Sequence, residues 1–202
     1  MVDNTLSPHG GKLVDRVITK KAKAIRLADA CRTSVAIRGQ IAREIISIAY
    51  GFFSPLEGFM TKADLISVCE NMILANGYVW SMPLVFDMSD EEIGKRGIKE
   101  GHSVLLEYHN EPFAVLEVDE IYTYDRNLMA KQIYGTDSGM HPGVSRTRDY
   151  KGKFLGGKVY LINLPLFQEP FDQFFFPPEV LREELHRRGW KRVVALQTRS
   201  VP

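Results

Sequence analysis

The chain has 202 residues, 45% hydrophobic and 25% charged, enough for one or two globular domains with their own cores and too apolar for global disorder. A formal net charge of +1 supplies no general field for nucleic acid or an acidic membrane, so any anion site has to be built locally. Cys31 and Cys69 are too few and too widely spaced for a metal knuckle or a disulfide framework, and no run approaches the roughly 18 apolar residues of a membrane span. With no charged segment, apolar core and small-residue cleavage site at the start, the expected location is the cytoplasm, with no membrane partner and the thiols buried and reduced.

Residues 1–12 are polar and broken by Ser7-Pro8-His9-Gly10-Gly11, which predicts an extended arm with His9 as a loop histidine contacting backbone. Lys20, Lys21, Lys23 and Arg26 form a dense basic cluster without interleaved aromatics, which reads as a solvated face rather than a nucleic-acid footprint. Ile37, Ile41, Ile45 and Ile48 fall at helical spacing and predict a core helix ended by Tyr50-Gly51. Gly51 to Met60 (GFFSPLEGFM) places three phenylalanines among turn residues, a buried loop. Thr61 and Asp64 resemble a capping box for a helix to about Met72, with Leu65, Val68, Cys69 and Met72 on its core face.

Tyr78 to Phe86 reads as a strand which Pro83 places at an edge or bulge. Asp87 to Glu92 is an acidic patch that reads as a solvated helix start, and no metal site is assigned to it. Ser103–Tyr108 and Pro112–Val118 form a predicted hairpin around a three-residue loop, His109-Asn110-Glu111, and Ile121 to Tyr124 extends the sheet. Asp125 caps a helix from Arg126 to Tyr134, and Gly135 to Gly139 is a loop. His141-Pro142-Gly143-Val144 fixes a turn, Gly156-Gly157 precedes a strand from Lys158 to Asn163, and Gln168 to Pro178 is a linker. Short strands, a hairpin and scattered helices imply a compact β-rich barrel of mixed character before residue 163.

The last stretch differs in kind. Pro177-Pro178-Glu179 starts a helix, Val180, Leu181 and Leu185 share a face, and Gly189 closes it behind Arg187 and Arg188. Arg192-Val193-Val194-Ala195-Leu196 then reads as the first buried strand of a parallel α/β sheet. Gln197, Thr198 and Arg199 follow at its carboxyl end, where ligands of such sheets bind, and they offer an amide, a hydroxyl and a guanidinium suited to an anion. By pattern alone Arg199 is more often an ordinary surface or interface ion-pair partner than a ligand-binding residue.

PPEVLREELHRRGWKRVVALQTRSVP resembles the opening of the catalytic domain of the ATP sulfurylase (sulfate adenylyltransferase) family. That family's motif is Gln-Thr-Arg-Asn, a proline-containing pair, then His-x-x-His. Here Ser200 stands in place of the asparagine, and the sequence reaches Pro202 before the histidines. GFFSPLEGFM matches the family's amino-terminal signature, and the early His-Gly-Gly and His141-Pro142-Gly143-Val144 are also familiar there. The resemblance implies an α+β, mostly β architecture. A PUA-like β-barrel domain with helices would span residues 1–167. A linker and the first helix and strand of an α/β nucleotidylyltransferase (Rossmann-like) domain would span 168–202.

It further implies the joining of sulfate to the α-phosphorus of Mg2+-bound ATP, giving adenylyl sulfate and pyrophosphate, or the reverse. Gln197 and Arg199 would bind sulfate, Gln197, Thr198, Arg199 and Ser200 would line the nucleotide, and Thr198, Arg199 and Ser200 would be the catalytic set. The full-length enzyme would be a homo-oligomer without nucleic-acid partners, and this stretch alone would be inactive. Two other classes stay open: a PUA-like RNA-binding module that uses Lys20 to Arg26, and a non-catalytic scaffold or interface domain.

Overall fold

The structure, a computed structural model, describes residues 7–163 and 172–196. Its helices are α1 (Lys21–Asp29), α2 (Gly39–Ala49), α3 (Lys62–Asn71), α4 (Asp90–Arg96), α5 (Arg126–Tyr134), α6 (Pro142–Arg148) and α7 (Pro178–Arg187). Its strands are β1 (Thr33–Ala36), β2 (Gly58–Phe59), β3 (Phe86–Met88), β4 (Ser103–Tyr108), β5 (Glu111–Tyr122) and β6 (Lys153–Leu161).

The strands join in one mixed sheet ordered β1-β4-β5-β6-β2, with β3 also on β6. β1 runs parallel to β4 and the other pairings are antiparallel. Cross-strand partners Val104 and Leu116, Leu106 and Ala114, Ala114 and Leu161, and Leu116 and Val159 put one fully buried row on a single face, as the two-residue side-chain period requires. α2 lays Ile41, Ala42, Ile45, Ile48 and Ala49 into the same core. A smaller cluster of Leu65, Cys69, Val85, Tyr122, Met129 and Phe154 joins α3 and α5 to the far end of the sheet.

β6 is crowded on the edge that β5 leaves open, because Val17, β2 and β3 pair with it in succession. Its glycines make this possible. Gly157 sits at φ +152, where a Cβ would lie 1.9 Å from the Glu117 carbonyl oxygen, and opposite it β5 carries a bulge between Val118 and Glu120.

Several expectations change. The barrel reading becomes a sheet in which β1 pairs only with β4 among the described residues. The 78–86 strand is replaced by loop, with an isolated Ile73–Val79 bridge and β3 beginning only at Phe86. A proline and the turn chemistry ahead of it deprive that segment of a ladder partner. Met72 is not core: it is the left-handed C-cap of α3 and is 52% exposed. The β4–β5 hairpin turns on two residues, His109 at φ 54 and Asn110 at φ 64, because a two-residue turn with both φ positive matches strand twist. Glu111 is therefore already strand, and Ile121–Tyr122 belongs to the same long β5. β6 starts at Lys153, with both glycines inside it.

The predicted strand over 192–196 is absent: these residues carry no strand, and Val194 and Leu196 are 90% and 96% exposed. A parallel strand gains its hydrogen bonds only from a neighbour, and the described residues supply none there.

Candidate functional site

Gln197, Thr198, Arg199 and Ser200, the residues to which the sequence assigns chemistry, lie outside the described residues. The approach to them is described. α7 begins behind Pro177 with Pro178 in its first turn and Glu179 beside its amino end, and Gly189 turns the chain at φ +64. Its basic end is internally committed. Glu184 accepts from Arg187 at 2.7 Å and from Arg188 at 2.5 Å. Those bonds, the Arg187 one first, hold its carboxyl down at about 2. The Arg188 guanidinium also lies 5.0 Å over the Trp190 ring.

The histidines act as fasteners. The His9 Nε2 donates to the Val79 carbonyl oxygen at 2.8 Å, the backbone contact expected of a loop histidine, and its ring meets Tyr78 edge-on at 5.7 Å. His141 does more than fix a turn. It is the N-cap of α6, its Nδ1 accepting from the Gly143 and Val144 N–H groups at 3.1 and 3.4 Å. Its ring lies 4.8 Å from Tyr134, against which Gly143 also packs too closely for any Cβ. Sequence reading missed this cap because histidine is an uncommon one; the available signal was Pro142 at the first helical position.

The acidic patch divides by burial. Asp87 is buried in β3, accepting from the Arg38 guanidinium at 2.5 Å and from the Lys151 N–H at 2.9 Å. Glu92 completes a capping box with Ser89 and pairs with Lys151 at 2.6 Å. The Lys151 contact first, then the Ser89 N–H, brings its carboxyl down to about 2. Neither arrangement leaves a convergent acidic pair, and among the described residues no group of His, Cys, Asp and Glu is placed to hold a metal ion.

Burial raises the Cys69 thiol to about 11, against a smaller lowering by Tyr124, and the residue packs in the smaller core cluster with Leu65 and Phe154. Burial also raises the Glu44 carboxyl, opposed by the Gln40 contact and the Arg38 charge. Lys20 is the N-cap of α1, and Lys21, Lys23 and Arg26 lie exposed along that helix, which has no buried residue. Among the described residues no helix is long and apolar enough to cross a membrane.

Residues 6–164 match the PUA-like domain family. Over 197 residues the chain is 40% identical to the sulfate adenylyltransferase of Hyperthermus butylicus, covering 96% of this chain and 49% of that protein. It is 38% identical to the enzyme of that name from Ignicoccus hospitalis, over 96% of this chain and 50% of the relative. For the Archaeoglobus fulgidus protein the figures are 36%, 98% and 48%. The chain thus spans about half the length of the curated relatives it matches. Among solved structures, the hexameric APS kinase from Thiobacillus denitrificans superposes with a TM-score of 0.66 at 24% identity, over 92% of this chain and 32% of that one, a likeness of fold.

Proposed function

The chain belongs to the PUA-like domain family, and on that premise we propose that it forms the amino-terminal part of a sulfate adenylyltransferase. In this reading the PUA-like domain occupies residues 1–167, and residues 168–202 carry a linker and the first elements of an α/β, Rossmann-like catalytic domain. The observation that carries it is the 40% identity to an enzyme of that name over 197 residues, a match long enough to run past residue 168.

The task is to hold two anions in line and neutralise charge as one departs. A sulfate oxygen forms a bond to the α-phosphorus of magnesium-bound ATP, and the bond from that phosphorus to its bridging oxygen breaks. Pyrophosphate leaves with the electron pair, and the reverse reaction retraces the step. Magnesium enters with ATP as part of the substrate. Arg199 offers a planar fork to two sulfate oxygens and Gln197 an amide donor beside it. Thr198 and Ser200 offer hydroxyls to the nucleotide phosphates, the serine with shorter reach than the family's asparagine. The enzyme is a cytoplasmic homo-oligomer in this proposal, and the 202-residue chain alone does not turn over.

Two assays test it. The 202-residue chain with Mg2+-ATP and sulfate gives background pyrophosphate, whereas the full gene product that contains it gives sulfate-dependent release. In that product Arg199→Lys raises the sulfate KM and lowers turnover, with ATP binding changed much less. Losing one charge-assisted bond is worth about 1.5–3 kcal/mol. No sulfate-dependent release from the full product overturns the proposal, and sulfate parameters within about threefold, roughly 0.65 kcal/mol, would remove Arg199 from the site.

A further inference from the structure

Of the consecutive rings Phe174, Phe175 and Phe176 that lead into α7, the outer two are 68% and 50% exposed, while Phe175 turns onto the body of the fold. It meets Tyr50 edge-on, centroids 5.1 Å apart at 81°, and Phe52 at 6.1 Å and 52°. Tyr50 is the C-cap of α2, so it is fixed to the main core helix.

Phe52 stands in the signature loop, one residue past Gly51, whose φ is +79 and whose Cβ, if it had one, would lie 2.3 Å from the Val14 carbonyl oxygen. Ser54 locks the same loop, accepting from the Val14 N–H at 3.0 Å and donating to the Gly51 carbonyl at 2.8 Å. The two rings are therefore held out on rigid backbone, and Phe52 remains 48% exposed, unlike its loop neighbour Phe59 at 3%. A large aromatic kept at the surface by a braced turn is explained by what sits on it.

We propose that Tyr50 and Phe52 form an aromatic seat for Phe175, a clasp that fixes α7 on the PUA-like body. The clasp thereby sets the position from which residues 190–202 leave. Phe175 is a positioning residue, and its link to the anion-binding segment rests on the sulfate adenylyltransferase reading; the clasp itself does not.

The test uses the 202-residue chain under native conditions, with mass spectrometry following tryptic cleavage within α7, after Arg182, Arg187 and Arg188. Phe175→Ala is expected to speed cleavage there about tenfold, the scale set by loss of two ring pairs. Phe52→Ala should speed it severalfold, and Phe52→Ala added to Phe175→Ala should add nothing further. Tyr50→Phe, which keeps the ring, and Phe174→Ala, which removes an outward-facing one, should leave the rate as it was. The urea midpoint of the body, read from Trp80 in chains carrying Trp190→Phe, should stay constant throughout.

Equal rates for Phe175→Ala and Phe174→Ala overturn the clasp, as does a rate that changes only together with the midpoint. Should Phe175→Ala fold poorly, Phe52→Ala decides alone, since its side chain is half in solvent. Cleavage reads geometry without reference to activity, so failure of the clasp leaves the enzymatic reading standing, and the converse holds as well.

Discussion

At the scale of single residues, Asp87 holds together more than its place in an acidic run suggests. Its side chain is 3% exposed while that of Arg38 is 53% exposed, so removing the two partners has unequal effects. Arg38→Ala strands a buried carboxylate with, among the described residues, only the Lys151 N–H, an expected loss of about 2 kcal/mol, less than for a fully buried pair because solvent screens the guanidinium. Asp87→Asn keeps an acceptor for that N–H and returns Arg38 to water, costing about 1 kcal/mol. The double variant should be more stable than Arg38→Ala alone in urea unfolding. If the second substitution instead deepens the loss, the stranded charge is not the cause. Sequence reading sorted Asp87 with its neighbours because its partner lies 49 positions away, beyond any local pattern. Asp125 was legible as a cap for the opposite reason: the N–H groups it accepts from belong to Asn127 and Leu128.

Among elements, α4 shows how a local rule becomes a pH dependence. Ser89 and Glu92 cap each other, and Glu92 also reaches Lys151. The folded carboxyl is lowered from 4.5 to about 2, so between those values the unfolded chain binds more protons. The stabilisation is fully present above about pH 4.5 and disappears as pH falls toward 2. With both side chains more than 40% exposed, solvent screening limits it to less than about 1 kcal/mol. Melting temperatures from pH 2 to 6 should show Glu92→Gln below the parent at pH 6 and level with it near pH 2; a constant gap would place the effect in geometry rather than charge. Ser89→Ala should still lower stability by about 1 kcal/mol near pH 2, because its cap on the Glu92 N–H does not depend on the carboxylate. Elements with such internal punctuation were readable from sequence: α3 behind Thr61, α5 behind Asp125, and α7 between Pro177 and Gly189. Strands were less so, because ladders are decided by distant partners. The 78–86 run has the right residues but, among the described residues, only an isolated bridge at Val79 before β3 begins at Phe86, whereas β6 extends through two glycines that its neighbours' close approach demands.

For the whole molecule, the sheet and α2 form a closed core while the last described residues do not. The candidate site was legible only as a motif, since a parallel strand and its terminal loop take their shape from neighbours that residues 192–196 lack among the described residues. A net charge of +1 and a basic stretch confined to the exposed α1 predict no RNA affinity in a filter-binding salt titration. Retention that weakens steeply with salt would revive the binding-module reading. The same contrast between core and tail fixes the expected hydrogen exchange. Val104, Leu105 and Leu106 sit in β4 between β1 and β5, with Val104 and Leu106 fully buried, so their amides should exchange only through global or near-global opening. Val193, Val194 and Leu196 are 50%, 90% and 96% exposed, and no backbone bond ties 192–196 to another element among the described residues. Their amides should exchange within about tenfold of unstructured rates, while α7, held through Phe175, falls between the two. Adding the remainder of a sulfate adenylyltransferase should move residues 193–196 into the slow class by giving the strand its neighbours. If they are already as slow as β4 in the 202-residue chain at micromolar concentration, a second copy of the chain covers them, and their protection should then weaken on dilution.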